Sequence, residues 1–195
     1  MSFKIIDYEP SVDDFREAFV NGMSKVQKEI PSKFIYDGRG SEIFSRIVEL
    51  PEYYVPRAEL EILEDHAEEI SELVGSKCYL LGYGSADSVK VRRLLDVLDS
   101  PAVYAPLDIS RDILIHGGSA ILNDYPALHV CAICADYMHT FTLPMPKGIS
   151  VGRKVGFFPG STIANVSIKE IIQFLKNSVN HLGVGGALIV GVDLR

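Results

Sequence analysis

The chain has 195 residues, 47% of them apolar and 23% charged, with a net charge of −7, a length that can bury a sizeable core in one domain or one and a half. The acidic balance and the lack of any basic run exclude a nucleic-acid or anionic-membrane surface, which needs clustered Lys and Arg, and favour a small-molecule substrate. No apolar run approaches the ~20 residues of a bilayer span and the N-terminus MSFKIIDYEP has no long apolar h-region, so a cytoplasmic protein is expected.

From residue 11 to residue 30, Val12, Phe15, Ala18, Phe19, Met23, Val26 and Ile30 recur at helical spacing, with Ser11 placed as N-cap. Gly38 and Gly40 then break regular structure, and Ser41 is placed to cap a short helix reaching Leu50. A third helix is predicted from Pro56 to about Val74, with Leu60, Leu63, Ala67, Ile70 and Val74 on its inner face. Residues 1–75 therefore read as a helical layer. From Lys77 the pattern alternates, with strands predicted at 78–81, 103–108, 129–134, 154–158 and 187–192 and helices near 87–98, 111–123 and 167–182. Ser167 and Glu170 form a capping box for the last helix. Gly117 and Gly118 weaken the middle one by roughly 1 kcal/mol each relative to Ala. Residues 142–152, with two prolines and two glycines, form a loop with room to move. The chain stops just after the fifth strand, so it is expected to be a fragment of a longer protein.

Strand, glycine turn and helix start meet in LLGYGSADSVK, residues 80–90. This reads as the first crossover of an open α/β sheet, a place where ligands bind outside the strand carboxyl ends. The helix N-terminus there offers unpaired N–H groups and about half a positive charge. Gly82 and Gly84 supply two glycines of a dinucleotide fingerprint, but Asp87 stands at the third position and its carboxylate opposes a pyrophosphate. Three readings stay open: a nicotinamide site, a purely structural turn, and a cofactor without phosphates such as S-adenosylmethionine, which the acid favours.

Asp108 closes the second strand, where a carboxylate can accept two hydrogen bonds from a ribose diol or, instead, serve as N-cap for the helix that follows Ser110. Asp136, after the third strand, can read an adenine amino group or be a loop acid. The polar turn FFPGSTIAN after the fourth strand ends in Asn165, which can donate and accept at once and so suits an amine or a carboxylate. Tyr36, Phe44, Tyr53 and Tyr54 add aromatic surface to the helical layer. Cys131 and Cys134 are three apart on a strand and point to opposite faces, so they read as core residues. The five histidines have no ligand spacing, and no metal site is predicted.

Taken together, FIYDGRGSEIFSRIVELPEYYVPRAELEIL, LLGYGSADSVKVRRLL, YAPLDIS, CADY, FFPGSTIANVS and GALIVGVDL resemble, in order and spacing, the S-adenosylmethionine-dependent histidine-specific Nα-methyltransferases of ergothioneine biosynthesis and their relatives. The resemblance implies a class I methyltransferase-type, Rossmann-like α/β fold: a doubly wound sheet over residues 76–195, truncated after the fifth strand, behind an N-terminal substrate-side layer over residues 1–75. It implies methylation of the α-amino group of histidine or a related amino acid. It places Gly82, Gly84, Lys90, Asp108, Asp136 and Tyr137 around S-adenosyl-L-methionine. Tyr36, Phe44, Gly160 and Asn165 would face the amino acid, with Tyr36 and Asn165 orienting the reacting amine. The family has an acid where this chain has Leu80, and its lysine comes two residues sooner after the glycines than Lys90. The rivals are a methyltransferase of this architecture for a different amine, a binding protein that keeps the fold without turnover, and a nicotinamide oxidoreductase.

Overall fold

In the computed structural model, which describes residues 3–10, 15–35, 38–85 and 88–194, the apolar runs after residue 77 become parallel strands because both faces of each are covered. The strands are β1 (Lys4–Asp7), β2 (Tyr79–Tyr83), β3 (Val103–Asp108), β4 (His129–Cys134), β5 (Lys154–Phe158) and β6 (Ala187–Val190). They form one six-stranded sheet in the order β1-β4-β3-β2-β5-β6, and every pairing is parallel. Continuous rather than alternating hydrophobicity is what such a doubly covered sheet requires. The helices are α1 (Phe15–Ser24), α2 (Gly38–Val48), α3 (Val55–Asp65), α4 (Ala67–Val74), α5 (Val89–Val97), α6 (Arg111–Asp124) and α7 (Ile168–Leu182).

Strand alternation sorts the core into two layers. Cys78, Leu80, Tyr104, Val130, Val155 and Phe157 meet Leu63 of α3, Val74 of α4, Val91 and Leu94 of α5 and Ile121 of α6 on one face. On the other, Tyr79, Leu81, Tyr83, Leu107, Ile133 and Phe158 meet Phe174 and Leu182 of α7. Each fully buried leucine here, Leu80, Leu94 or Leu107, contributes about 2 kcal/mol through removal of apolar surface from water. Cys131 and Cys134 are free, buried and divided between opposite faces, as the strand period requires.

Several boundaries differ from the sequence reading. The N-terminal segment contributes β1 at the sheet edge, with Lys4 to Asp7 in register with Cys131 to Cys134, so residues 1–75 are not a purely helical layer. A four-residue strand with only its middle positions half-buried leaves no periodicity to read. α1 ends at Ser24 instead of Ile30, and Ser11 and Val12 lie outside the described residues. α2 starts at Gly38, so Ser41 falls inside the helix and not at its N-cap position. The third predicted helix is two, α3 and α4, parted at His66, whose φ of −110° and ψ of 19° leave the helical region. The last strand ends at Val190, two residues early. The capping box stands: Ser167 Oγ accepts from the Glu170 amide at 3.3 Å and Glu170 Oε2 from the Ser167 amide at 2.8 Å.

Gly118 is the floor on which Phe3 of the N-terminal segment sits: a Cβ there would lie 2.2 Å from Phe3 Cε2. Gly118→Ala is expected to lower stability by about 1 kcal/mol net, since the ~1 kcal/mol gain in helix propensity is outweighed by displacement of the ring. Faster amide exchange at Ile5 and Ile6, with the urea midpoint, reports it.

His181, buried on α7, stacks on Phe141 with ring centroids 4.0 Å apart, and its Nε2 accepts from the Phe141 amide at 3.4 Å. Burial depresses its pKa to about 4, from an ordinary 6.5. The unfolded chain therefore binds this proton first, and stability falls as pH drops from 6.5 towards 4. The expected loss is about 2 kcal/mol after allowance for solvent screening. Urea midpoints across that window, flattened in His181→Phe, check it.

Candidate functional site

The chain order reverses between β2 and β5: β3 and β4 are laid down to one side of β2, and β5 returns to its other side. Such a switch point opens a crevice at the carboxyl ends of the strands. Gly82, predicted in the turn, is still within β2. A Cβ on it would come 2.7 Å from Ser85 Oγ and 3.0 Å from the Tyr104 hydroxyl. The turn proper begins at Gly84, whose φ of +60° suits glycine. Its amide donates to the Leu107 carbonyl at 2.8 Å, and the Tyr104 hydroxyl rises from β3 to donate to the Ser85 carbonyl at 2.6 Å. Ser85 Oγ is buried with no hydrogen-bond partner among the described residues. Asp87 lies outside those residues. α5 starts at Val89 with Ser88 as N-cap, its Oγ accepting from the Val91 amide at 3.2 Å, which puts Lys90 in the first helical turn.

Asp108 ends β3 opposite Cys134, and its backbone carbonyl accepts from the Ala135 amide at 3.0 Å. Its Oδ1 accepts from the Ser110 amide at 2.8 Å, while Ser110, not Asp108, caps α6 by accepting from the Ile113 amide. Burial raises the Asp108 carboxyl above its ordinary value, and the Ser110 and Ile109 amides offset only part of that. Asp136 Oδ1 folds back onto the Met138 amide at 2.8 Å, and Oδ2 lies 3.8 Å from His139 Nε2. Thus Gly84, Asp108 and Asp136 follow one another across the ends of three adjacent strands. Tyr137 turns its half-buried ring into the aromatic group of Tyr83, Phe158 and Phe174, at centroid distances of 6.2, 5.6 and 5.7 Å.

Beyond β5, Gly160 (φ +81°) and Ser161 (φ +55°) make a tight turn into the 3-10 segment Thr162–Asn165. A serine at that φ is strained, and Ser161 is held by accepting the Asp193 amide on Oγ at 3.0 Å. Asp193 Oδ1 in turn accepts from the Tyr54 hydroxyl at 2.8 Å, a bond that raises the phenol's pKa. Asn165 stands exposed at the end of the 3-10 segment. Phe44 sits edge-on to Tyr53, 6.2 Å away in the helical part of the chain. Tyr36 lies outside the described residues.

The sequence reading missed Glu59 of α3. Its carboxylate accepts the Gly160 amide at 2.9 and 3.0 Å and forms an ion pair with Lys90, both side chains about 85% buried, at 14% and 15% exposure. A signal existed: Glu59 lies four residues before Leu63 on the apolar face of its helix, where an acid is costly unless partnered. Ser85 and Tyr104 were missed too, since a serine after glycine and a tyrosine in a strand are both commonplace.

Among the described residues no group of three or more His, Cys, Asp or Glu could hold a metal ion, and no helix is long and apolar enough to cross a membrane.

The arrangement offers a half-buried carboxylate at a strand end, an orphaned hydroxyl beside a glycine turn and a polar turn across the crevice. A carboxylate there can accept from paired hydroxyl groups, and a polar turn can meet an amine or a carboxylate. A family model described as histidine-specific methyltransferase, SAM-dependent, matches residues 15–195. The histidine N-alpha-methyltransferase of Mycolicibacterium smegmatis is 34% identical over 177 residues, covering 89% of this chain and 53% of that protein. That of Mycobacterium tuberculosis is 35% identical over 182 residues, 92% and 55%. A 4-dimethylallyltryptophan N-methyltransferase of Claviceps purpurea is 26% identical over 184 residues, 90% and 52%. The chain spans about half the length of these curated relatives.

Proposed function

The chain belongs to the S-adenosylmethionine-dependent histidine-specific methyltransferases, and from that membership we propose that it carries the cofactor crevice of an N-methyltransferase acting on the α-amino group of histidine or a related amino acid. The observation that carries the reading is the half-buried Asp108 carboxylate at the end of β3, next to the Gly84 turn at the switch point. When bound, the cofactor supplies a methyl group on a positively charged sulfur.

Asp108 accepts the ribose hydroxyls, the Gly82 and Gly84 backbone lines the approach, Lys90 closes that side, and Asp136 and Tyr137 border the adenine. Phe44, Gly160, Asn165 and Tyr36 face the amino acid, Asn165 and Tyr36 orienting its nitrogen lone pair. Residues up to 75, β1 apart, form the substrate side.

The amine must be neutral to attack. A sulfonium about 4 Å away opposes an ammonium by about 4 kcal/mol at an effective dielectric near 20, an upper value of ~3 pKa units, so a strong general base is not required. Alignment in the crevice is worth ~7–11 kcal/mol in favourable cases. The relationship to an enzyme named for dimethylallyltryptophan keeps a different aromatic amine as the second reading.

Transfer of a labelled methyl group to histidine, tryptophan and simple amines, in the protein that carries this chain, is the test. Labelled histidine supports the proposal, and label on another amine alone supports the second reading. S-adenosylhomocysteine binding without transfer to any amine makes the protein a binding module.

A further inference from the structure

Three separated segments converge on one carboxylate. Glu59 of α3 pairs with Lys90 in the first turn of α5 and accepts the amide of Gly160, 101 residues away in sequence. Space for the carboxylate comes from Gly191, just past β6: a Cβ there would lie 1.8 Å from Glu59 Oε1. Lys90 Nζ lies 3.6 Å from where a Cβ on Gly160 would be, so the two partners of the carboxylate are neighbours themselves. A charge this far from water needs such a surround, since burial without partners is costly.

We propose that Glu59 is a positioning residue that ties the Lys90 end of α5 to the 160–165 turn, so that the cofactor-side and substrate-side turns keep one relative placement. The roles given to the two turns rest on the proposed function; the tie itself rests on geometry. The carboxylate holds Gly160 only while Lys90 holds the carboxylate. Without the ammonium, an unpaired and largely buried charge turns to water and the Gly160 amide loses its acceptor. Ligand contact on the cofactor side therefore reaches the Gly160 turn through this single side chain.

Amide hydrogen exchange in 15N-labelled chain tests it in two arms. Without ligand, Lys90→Met is expected to reduce Gly160 protection about tenfold, the scale of one hydrogen bond, with Lys90→Arg retaining it and the amides of Val155 and Phe157 in β5 unchanged. Unchanged Gly160 protection in Lys90→Met overturns the proposal, and so does an equal loss in β5, which marks a general structural role. With S-adenosylhomocysteine, Gly160 protection is expected to rise in the native chain and not in Glu59→Leu. An equal rise in both overturns the coupling. If calorimetry finds no binding to the native chain, the cofactor reading fails while the ligand-free arm still decides the role of Glu59.

Discussion

Asp108→Asn is expected to weaken S-adenosylhomocysteine binding ten- to a hundredfold while leaving the chain at least as stable at pH 7. Two hydrogen bonds from ribose hydroxyls to a carboxylate are worth about 3 kcal/mol together, and an amide, with one acceptor atom, keeps at most one of them and without the charge. The stability half follows from the raised carboxyl pKa. Burial makes the folded state hold this proton to higher pH than the unfolded chain does. Below the unfolded value both states are protonated. As pH rises through the interval up to the folded value, the native state keeps the excess proton and stability falls, and the loss persists at pH 7. Asparagine removes that cost and can still accept the Ser110 amide through its carbonyl oxygen. Binding and stability therefore move in opposite directions, as expected of a group kept for a ligand. Calorimetric titration and urea denaturation on the same preparations check both; a variant that loses binding and unfolds together would make Asp108 a structural acid.

Gly191→Ala is expected to cost about 2–3 kcal/mol, because the added methyl group takes the place of the Glu59 carboxylate and leaves both Lys90 and the Gly160 amide without their partner. Glu59 ends a flexible side chain, so the fold survives and the carboxylate moves out. The effects of Gly191→Ala and Glu59→Ala should then fail to add: in the double variant the second change costs little beyond the first, since both remove the same contacts. A double-mutant cycle on urea midpoints measures this, and full additivity would mean that Gly191 matters for some other reason.

The strands β3, β4 and β5 match their predicted bounds at both ends, because a buried parallel strand is a continuous apolar run closed by a polar or glycine-rich turn, and that is local information. The capping box is local for the same reason. β1 was not legible, because its four residues gain their meaning from pairing with β4, more than 120 positions away. The site divides along the same line. Gly84, Asp108 and Asp136 could be picked out as strand-end residues, since a parallel sheet puts all such ends on one edge. Glu59 left a signal as an acid on an apolar helix face, but its partners could not be read, because Lys90, Gly160 and the space over Gly191 are assembled only by the folded sheet. The Tyr104 hydroxyl under the Ser85 carbonyl, and the Tyr54 link to Asp193, depend equally on contacts between distant segments.

The central claim, an adenosyl-cofactor crevice at the ends of β2, β3 and β4, is tested most directly by calorimetric titration of the native chain with S-adenosylhomocysteine and, separately, with NAD. The expected result is saturable one-to-one binding of S-adenosylhomocysteine and none of NAD. Binding of NAD in preference to S-adenosylhomocysteine would contradict the account.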